Sequence, residues 1–372
     1  MRQRVLITGG AGFIGSHVAT ELLEKGYSVR VLDNLSPQVH GPERKRPSYL
    51  DRDVELMVGD VREPQTVRRA LKGVDAVYHF VANVGVGQSM YEIADYTSVN
   101  NLGTAVLLEA IIEKPVERLI VASSMSIYGE GLYHAPDGSP SVGIERTLDQ
   151  LKRGAWEVRN AKGEVLQPVA TPETKPPVLA SVYALSKYDQ ERMCLMIGRA
   201  YNFAAVALRF FNCYGPNQAL SNPYTGVLAI FASRLLNGKP PVIYEDGNQL
   251  RDFVSVYDVA RACRLALETP RADGHVFNVA TGRKMTVSEC AQKMAAALGK
   301  EHLKPEITGK YRVGDIRHCY ADISMAREIL GYEPQMKVEE GMADLAEWLA
   351  KQTAHDRVAE ARQELVARGL MV

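Results

Sequence analysis

The sequence predicts an α/β protein with a doubly wound parallel sheet, and two observations carry this prediction. Short apolar runs alternate with helical patterns over the first two-thirds of the 372 residues, as they do in consecutive β-α-β units. Several of these runs carry no polar alternation, which is typical of strands that are covered by helices on both faces.

The elements of this sheet follow one another in a regular order. The predicted strands are 4–8, 28–33, 54–59, 76–81, 118–123 and 204–211, and the principal predicted helices are 14–25, 91–113 and 181–201. Residues 1–215 are therefore predicted to form the sheet domain, with an insertion at about 131–178 where turn residues are frequent. A smaller, less regular region follows at 216–352, and the charged, alanine-rich stretch 353–372 predicts a C-terminal helical extension.

Charge and cysteine content exclude several classes of protein. Lys+Arg and Asp+Glu are equal at 44 each, so no net basic charge exists to bind nucleic acid. No run of 18 apolar residues and no signal-peptide pattern occurs, so we expect a cytoplasmic protein without a membrane span. The five cysteines lie far apart without C-x-x-C spacing, which predicts free thiols and no metal site.

A glycine-rich turn follows the first predicted strand. The letters GAGFIG at residues 10–15 fit G-x-G-x-x-G, and they lie between an apolar strand and a helix, where this pattern binds the pyrophosphate of a dinucleotide. Asp33 ends the next strand, at about the 20-residue spacing of this fingerprint. Its carboxylate can accept hydrogen bonds from a ribose and would repel a 2′-phosphate. The sequence therefore predicts a Rossmann-type domain that binds NAD rather than NADP.

A possible catalytic group lies on the helix predicted at 181–201. Tyr183 and Lys187 are four residues apart, so they share one face of that helix. To act as a base near neutral pH, a tyrosine needs its pKa lowered from about 10 to about 7, and both a nearby ammonium and a nicotinamide cation favour the phenolate. Ser124, at the end of the fifth strand, can hydrogen-bond the reacting oxygen. Taken singly, these residues would more often have structural roles.

Short motifs in this order resemble the extended short-chain dehydrogenase/reductases, specifically the sugar-nucleotide epimerase/dehydratase family. The resemblance runs from Val5 to about Leu349. It rests on TGGAGFIG (8–15), DN (33–34), GDV (59–61), HFVA (79–82), Asn100 with GT (103–104), SS (123–124) with YG (128–129), YALSK (183–187), RFFNCYGP (209–216), RDFV (251–254) with DV (258–259), and RVGD (312–315).

The resemblance implies roles at the matching positions, including a substrate-binding function for residues 216–352. NAD would contact Gly9, Gly12, Phe13, Ile14, Gly15, Asp33 and Asn34, with Asp60 and Val61 at the adenine and Val81, Ala82 and Asn100 lining the groove. The nucleotide-sugar substrate would contact Asn212, Arg251, Arg312 and Asp315. Guanidinium groups match phosphate oxygens and stay charged, which suits the two arginines to a diphosphate.

The residues after Ser124 discriminate between the reactions of the family. Dehydratases of this family resemble one another in carrying Asp-Glu there, whereas this chain has Met125 and Ser126, and neither shuttles a proton well near neutral pH. The sequence therefore favours 4-epimerisation through a transient 4-keto sugar.

The long stretch between Ser124 and Tyr183 narrows the prediction. With its Trp156 and Pro168, it resembles the subgroup of dTDP-L-rhamnose 4-epimerases, which form dTDP-6-deoxy-L-talose, although RNAKG (159–163) stands where that subgroup often has paired cysteines. Alternatives are a UDP-glucose 4-epimerase, another NDP-sugar epimerase or reductase, and a non-catalytic NAD-binding regulator. The resemblance also implies a homodimer formed through helices 91–113 and 181–201.

Overall fold

Seven parallel strands form the central sheet of the structure, a computed structural model that describes residues 3–141, 143, 145–218, 226–312, 315–351 and 366–368. The strands are β1 (Arg4–Thr8), β2 (Ser28–Asp33), β3 (Glu55–Val58), β4 (Ala76–His79), β5 (Arg118–Ser124), β6 (Ala204–Phe210) and β7 (Val276–Val279). Their order across the sheet is β7-β6-β5-β4-β1-β2-β3, and every neighbouring pair is parallel. The predicted fold class is confirmed, and the predicted strands end within two residues of the observed ones.

Helices cover both faces of the sheet. The longer ones are α1 (Phe13–Glu24), α2 (Pro64–Ala70), α3 (Gly103–Glu113), α4 (Val182–Tyr201), α5 (Val227–Leu236), α6 (Val256–Glu268), α7 (Val287–Ala297) and α8 (Val338–Ala350). Single turns lie at Pro37–His40, Val86–Ser89, Ile93–Tyr96, Thr97–Leu102, Met125–Tyr128, Leu148–Lys152, Pro270–Ala272 and Ala326–Leu330.

Strand β1 shows why the apolar runs lack polar alternation. Val5 and Ile7 belong to the core shared with α1 and α6, whereas Leu6 belongs to the core on the other face, shared with α2, α3 and α4. All three side chains are fully buried. A strand in this position must be apolar at consecutive residues because neither face meets water.

The sheet draws residues from both sides of position 215. Strand β7 and helix α6, which packs on α1, lie within the stretch 216–352. The rest of that stretch forms a separate core around α5, α7 and α8, together with the strand pairs Val242–Ile243 with Glu306–Ile307, Leu250–Arg251 with Met285–Thr286, and Asn212–Tyr214 with Phe253–Ser255. Of the predicted extension 353–372, only 366–368 lie within the described residues.

The predicted helix 91–113 is interrupted. An α-helical turn, Ile93–Tyr96, runs into a π-helical turn, Thr97–Leu102, before α3 begins. The Thr104 hydroxyl donates to the Asn100 carbonyl, and the Asn100 side chain bonds to groups outside the helix. Such side-chain contacts compensate for the wider turn, which commonly marks functional sites.

The insertion forms a small unit of its own. Its strands Leu132–His134, Pro140–Ser141 and Gln167–Val169 make a three-stranded antiparallel sheet over the buried side chains of Tyr133, Ala135, Val158 and Leu166. The hydroxyl of Thr147 caps the short helix Leu148–Lys152. Within the described residues, no helix is both long and apolar enough to cross a bilayer.

A buried ion pair locks α4 to the sheet. Arg209 of β6 meets Glu191 of α4 with an Nη2–Oε1 distance of 2.7 Å and an Nε–Oε2 distance of 3.0 Å. The Ser123 hydroxyl donates to Glu191 Oε2 at 2.6 Å, and Arg209 Nη1 donates to the Tyr128 hydroxyl at 2.8 Å. These contacts satisfy both charges inside the protein.

We therefore expect Arg209→Met to lower the free energy of unfolding by about 3–5 kcal/mol, because it leaves the Glu191 carboxylate buried without its counter-charge. Urea denaturation followed by circular dichroism measures this change. The control is Arg68→Met, which removes an exposed pair with Glu113 and should leave stability nearly unchanged. An equal loss of unfolding free energy in the two variants would show that the buried pair stabilises the fold no more than the exposed one.

Candidate active site

The loop between β1 and α1 requires glycine at two positions. Gly9 has a φ of +69°, and a Cβ atom there would lie 2.9 Å from the backbone nitrogen of Val81. A Cβ atom at Gly15 would lie 2.5 Å from the Cα of Gly10. The loop therefore packs directly on the loop after β4. Gly12 precedes α1, whose N-terminal residues Phe13 and Ile14 bring free N–H groups and partial positive charge to this edge of the sheet.

Asp33 supports this loop from the end of β2. Its carboxylate is buried and accepts hydrogen bonds from the backbone nitrogen of Ala11 at 3.0 Å and of Leu35 at 2.9 Å. The Tyr49 hydroxyl donates to the Ala11 carbonyl at 3.0 Å. Asp33 therefore fixes the shape of the glycine loop, a contact that the spacing argument did not anticipate.

Asp60 and Asn34 lie together beside the end of β3. The amide of Asn34 donates to Asp60 at 3.5 Å, and Arg62 forms an ion pair with Asp60 at 2.7 Å. This bonding from Arg62 lowers the pKa of Asp60 to about 2, so its carboxylate is ionised at neutral pH. Val61 packs against Gly103, where a Cβ atom would lie 2.5 Å from its Cγ1.

Asn100 joins the loop after β4 to α4. Its Oδ1 accepts from the Asn83 nitrogen at 2.7 Å, while its Nδ2 donates to the Asn83 carbonyl at 3.1 Å and to the Ser186 hydroxyl at 2.9 Å. Val81 and Ala82, both half-buried, precede Asn83 in this loop. A fully buried side chain that makes these contacts fixes how α4 faces the loop.

Ser124 ends β5, and Tyr183 lies on α4, which packs on that strand. Ser124 Oγ also accepts from the Ser126 nitrogen at 3.1 Å, and Ser181 caps α4 by accepting from the Ala184 nitrogen at 3.1 Å. Tyr183 thus lies in the first turn of α4. Burial raises the pKa of its phenol, and the Ser124 hydroxyl opposes that effect.

Lys187 lies one helical turn further on and is buried. Its Nζ donates to Gln190 Oε1 at 2.7 Å. Burial lowers the pKa of Lys187 to about 7, with Cys194 and Glu191 opposing the effect. The charge of this ammonium is therefore sensitive to any group placed beside it near neutral pH.

A chain of buried polar side chains continues from Gln190 into the sheet. Gln190 Nε2 lies 2.9 Å from Thr104 Oγ1 and 3.2 Å from the Val81 carbonyl oxygen. His79 lies 2.8 Å from Thr104 Oγ1 through Nε2 and 2.8 Å from Thr8 Oγ1 through Nδ1. Burial, with the charge of Lys187, lowers the pKa of His79 to about 3, so its imidazole is neutral.

Arg251, Arg312 and Asp315 come together in the C-terminal region. Arg312 pairs with Asp315 at 2.9 Å and lies 5.3 Å from the centre of the Tyr244 ring. Arg251 donates to the carbonyls of Leu250, Ile316 and Arg317. Burial opposes the charge of Asp315, but the guanidiniums of Arg312, Arg251 and Arg146 hold its pKa below the ordinary value.

Asn212 begins a short strand that pairs with Phe253–Ser255, and its backbone nitrogen donates to the Asp252 carbonyl at 3.1 Å. Its Oδ1 is buried and has no hydrogen-bond partner among the described residues. Buried polar atoms are rarely left unpaired.

Comparison with known proteins identifies the family. The model of the NAD dependent epimerase/dehydratase family matches residues 5–148 and 159–280. The chain belongs to this family. It is 34% identical over 355 residues to the dTDP-L-rhamnose 4-epimerase of Burkholderia thailandensis, with 94% of this chain and 96% of the relative covered.

Two solved structures of UDP-glucose 4-epimerases have the same fold. The Thermotoga maritima enzyme with UDP-glucose superposes with a TM-score of 0.76 at 31% identity and covers 94% of this chain and 99% of its own. The Thermus thermophilus enzyme in complex with NAD gives a TM-score of 0.74 at 30% identity, with 94% and 100% covered.

Membership of the NAD-dependent epimerase/dehydratase family confirms the predictions of an enzyme and of NAD as its cofactor. The residues described above fit a dinucleotide. The glycine loop has no side chains at Gly9 and Gly15, so its backbone is open to the approach of a pyrophosphate. Asp33 supplies a negative charge at the end of β2. Both lie beside the position where the strand order reverses between β1 and β4, which is where open α/β sheets bind ligands.

Several polar residues of this region were not among the predicted site residues. Gln190, Thr8 and Arg62 gave no separate signal in the sequence, although Gln190 follows Lys187 by three positions and so shares its helix face. Within the described residues, no group of three or more His, Cys, Asp or Glu side chains could hold a metal ion. At 159–163, Asn160 instead closes a turn by accepting from the backbone nitrogens of Lys162 and Glu164.

Proposed function

We propose that the chain is a nucleotide-sugar 4-epimerase with Ser124, Tyr183 and Lys187 at its catalytic centre. The observation that carries the proposal is that α4, which carries Tyr183 and Lys187, packs on β5, whose last residue is Ser124, at the sheet edge where the glycine loop packs. Met125 and Ser126 occupy the next two positions and supply neither an acid nor a base for loss of water.

In this mechanism the protein moves one proton and holds the sugar. NAD, held at the glycine loop, would supply the acceptor and the donor of hydride for the same sugar carbon. Tyr183 takes the proton of the sugar 4-hydroxyl, and Ser124 donates a hydrogen bond to that oxygen. The charge of Lys187 favours the Tyr183 phenolate. Tyr183 gives the proton back when the other face of C4 is reduced.

The sugar must turn over between the two half-reactions while its nucleotide stays bound. Arg251 and Arg312 would hold the diphosphate, with Asn212 and Asp315 beside them. Asn212 Oδ1, buried without a partner among the described residues, suits a donor on the ligand. The cofactor half of the cleft would be held by the glycine loop, Asp33, Asn34, Asp60, Val61, Val81, Ala82 and Asn100.

The substrate that we propose is dTDP-L-rhamnose, with dTDP-6-deoxy-L-talose as the product. Identity of 34% to a dTDP-L-rhamnose 4-epimerase over 94% of this chain supports it. UDP-glucose is the second candidate, since two structures at 30% and 31% identity are UDP-glucose 4-epimerases.

Incubation with each substrate, with products followed by NMR, separates the two candidates. We expect inversion at C4 of dTDP-L-rhamnose and little turnover of UDP-glucose; the reverse pattern would overturn the substrate assignment. Tyr183→Phe should lose a factor of about 10²–10⁴ in turnover while keeping its NAD, because only proton transfer is removed. No turnover of either sugar by the wild-type protein would favour a non-catalytic NAD-binding role.

The pH dependence of turnover tests the role of Lys187. Proton removal requires the Tyr183 phenolate, so the rate rises as the pH rises through the pKa of Tyr183. Without the ammonium that pKa increases, and in Lys187→Met we expect the rising limb of the profile about one to three pH units higher. The exposed Lys293→Met is the matched control and should keep the wild-type profile. An unshifted limb in Lys187→Met would remove the lysine from the mechanism.

We further propose a homodimer formed through α4 and the helical turns before α3. Large apolar side chains lie exposed on these neighbouring elements: Ile93, Leu102, Leu185 and Met196 are each about half exposed. Such a surface is typical of an interface between subunits.

Light scattering should therefore give twice the chain mass of 41.0 kDa. Met196→Asp places a charge in the interface and should shift the mass towards that of one chain. Ile307→Asp, an equally exposed apolar position in the C-terminal region, is the control and should stay dimeric. A wild-type mass of 41.0 kDa would exclude the dimer.

A further inference from the structure

A network of ion pairs joins the insertion to the C-terminal region. Arg317 is fully buried, and its guanidinium contacts three carboxylates: Glu157 at 2.6 Å, Asp246 at 2.6 Å and Glu245 at 2.9 Å. Glu157 belongs to the insertion, and the other two carboxylates lie in the C-terminal region. The Trp156 ring of the insertion also contacts the Tyr311 ring of the C-terminal region, with centroids 6.2 Å apart.

Arg146 is the insertion's own buried guanidinium in this network. Its Nη1 pairs with Glu245 Oε1 at 2.7 Å and contacts the Trp156 carbonyl at 3.2 Å, and its Nη2 donates to the Asp315 carbonyl at 2.7 Å. Glu245 is almost completely buried and has a φ of +53°, a conformation that is uncommon outside glycine. The surroundings therefore hold this carboxylate firmly in place for Arg146.

The backbone from Asp315 to Arg317 connects these pairs to the proposed diphosphate residues. The Asp315 carbonyl accepts from Arg146. The carbonyls of Ile316 and Arg317 accept from Arg251 at 2.5 Å and 3.0 Å. The Asp315 carboxylate in turn pairs with Arg312. Arg146 thus contacts the same three-residue segment that positions both Arg251 and Arg312.

We propose that Arg146 is a positioning residue for substrate, through which the insertion holds Asp315, Arg251 and Arg312 in register with the diphosphate of the nucleotide sugar. The inference rests on the proposed function. An arginine suits the position because its planar fork reaches the Glu245 carboxylate and the Asp315 carbonyl together, whereas a lysine ammonium acts as a point charge. Arg146 has its partners within the protein and does not itself touch the substrate.

The test compares binding of dTDP and of UDP by calorimetry in three variants. Arg146→Met removes the fork, Arg146→Lys keeps the charge, and the double variant Arg146→Met/Glu245→Met also removes the carboxylate that would otherwise lose a partner. We expect affinity for the preferred diphosphate to fall about tenfold in Arg146→Met and in the double variant, because both lose the charge-assisted bond to Asp315. Arg146→Lys should fall between these variants and the wild type.

Further measurements separate positioning from general stability. The KM for the nucleotide sugar should rise about tenfold while kcat, NAD content and melting temperature stay close to wild type in the double variant. Arg153→Met, at an exposed arginine of the same insertion that donates to the Asp149 carbonyl, should match the wild type throughout.

Wild-type affinity for the diphosphate in the double variant would overturn the inference. A double variant that loses NAD and folded structure together would overturn it as well, since the role would then be structural. If the wild-type protein binds neither dTDP nor UDP, the proposed function fails before any variant is compared, and this result is distinct from the other two.

Discussion

The attachment of α4 to the sheet is the constraint on which the rest of the site depends. Tyr183 and Lys187 share one helix face, but a shared face is useful only if the helix keeps one position along the sheet. Glu191 provides that position, because the Arg209 guanidinium and the Ser123 hydroxyl hold its two oxygens. Its contacts reach the end of β5, where the neighbouring residue is Ser124. The candidate catalytic group thus inherits its geometry from a buried ion pair that takes no part in proton transfer.

The sequence predicted the parts of the fold that repeat. Six strands were apparent because each is an apolar run between turn residues, and burial on both faces enforces that composition. β7 was missed because Val276–Val279 lies within a stretch of short, irregular elements. The π-helical turn was also missed, since hydrophobic periodicity does not register one extra residue in a helical turn.

The candidate site likewise has residues that the sequence predicted and contacts that it did not. Gly9, Asp33, Tyr183 and Lys187 stand at fixed spacings that the physics of dinucleotide binding and base catalysis explains. Contacts such as Arg146 with Asp315 join residues far apart in the chain, and no local pattern predicts them. The hydrogen bond of the Asp33 carboxylate with the Ala11 nitrogen likewise depends on how two loops meet.

Because the imidazole of His79 is neutral, the Thr104 hydroxyl sets the direction of the hydrogen bonds beside it. Thr104 gives its only proton to the Asn100 carbonyl, so its oxygen must accept from His79 Nε2–H and from Gln190. His79 Nδ1 is then the acceptor for the Thr8 hydroxyl. The amide nitrogen of Gln190 donates its two protons to Thr104 and to the Val81 carbonyl. Only its oxygen is left to face Lys187. The amine therefore finds an acceptor there whether or not it carries a charge.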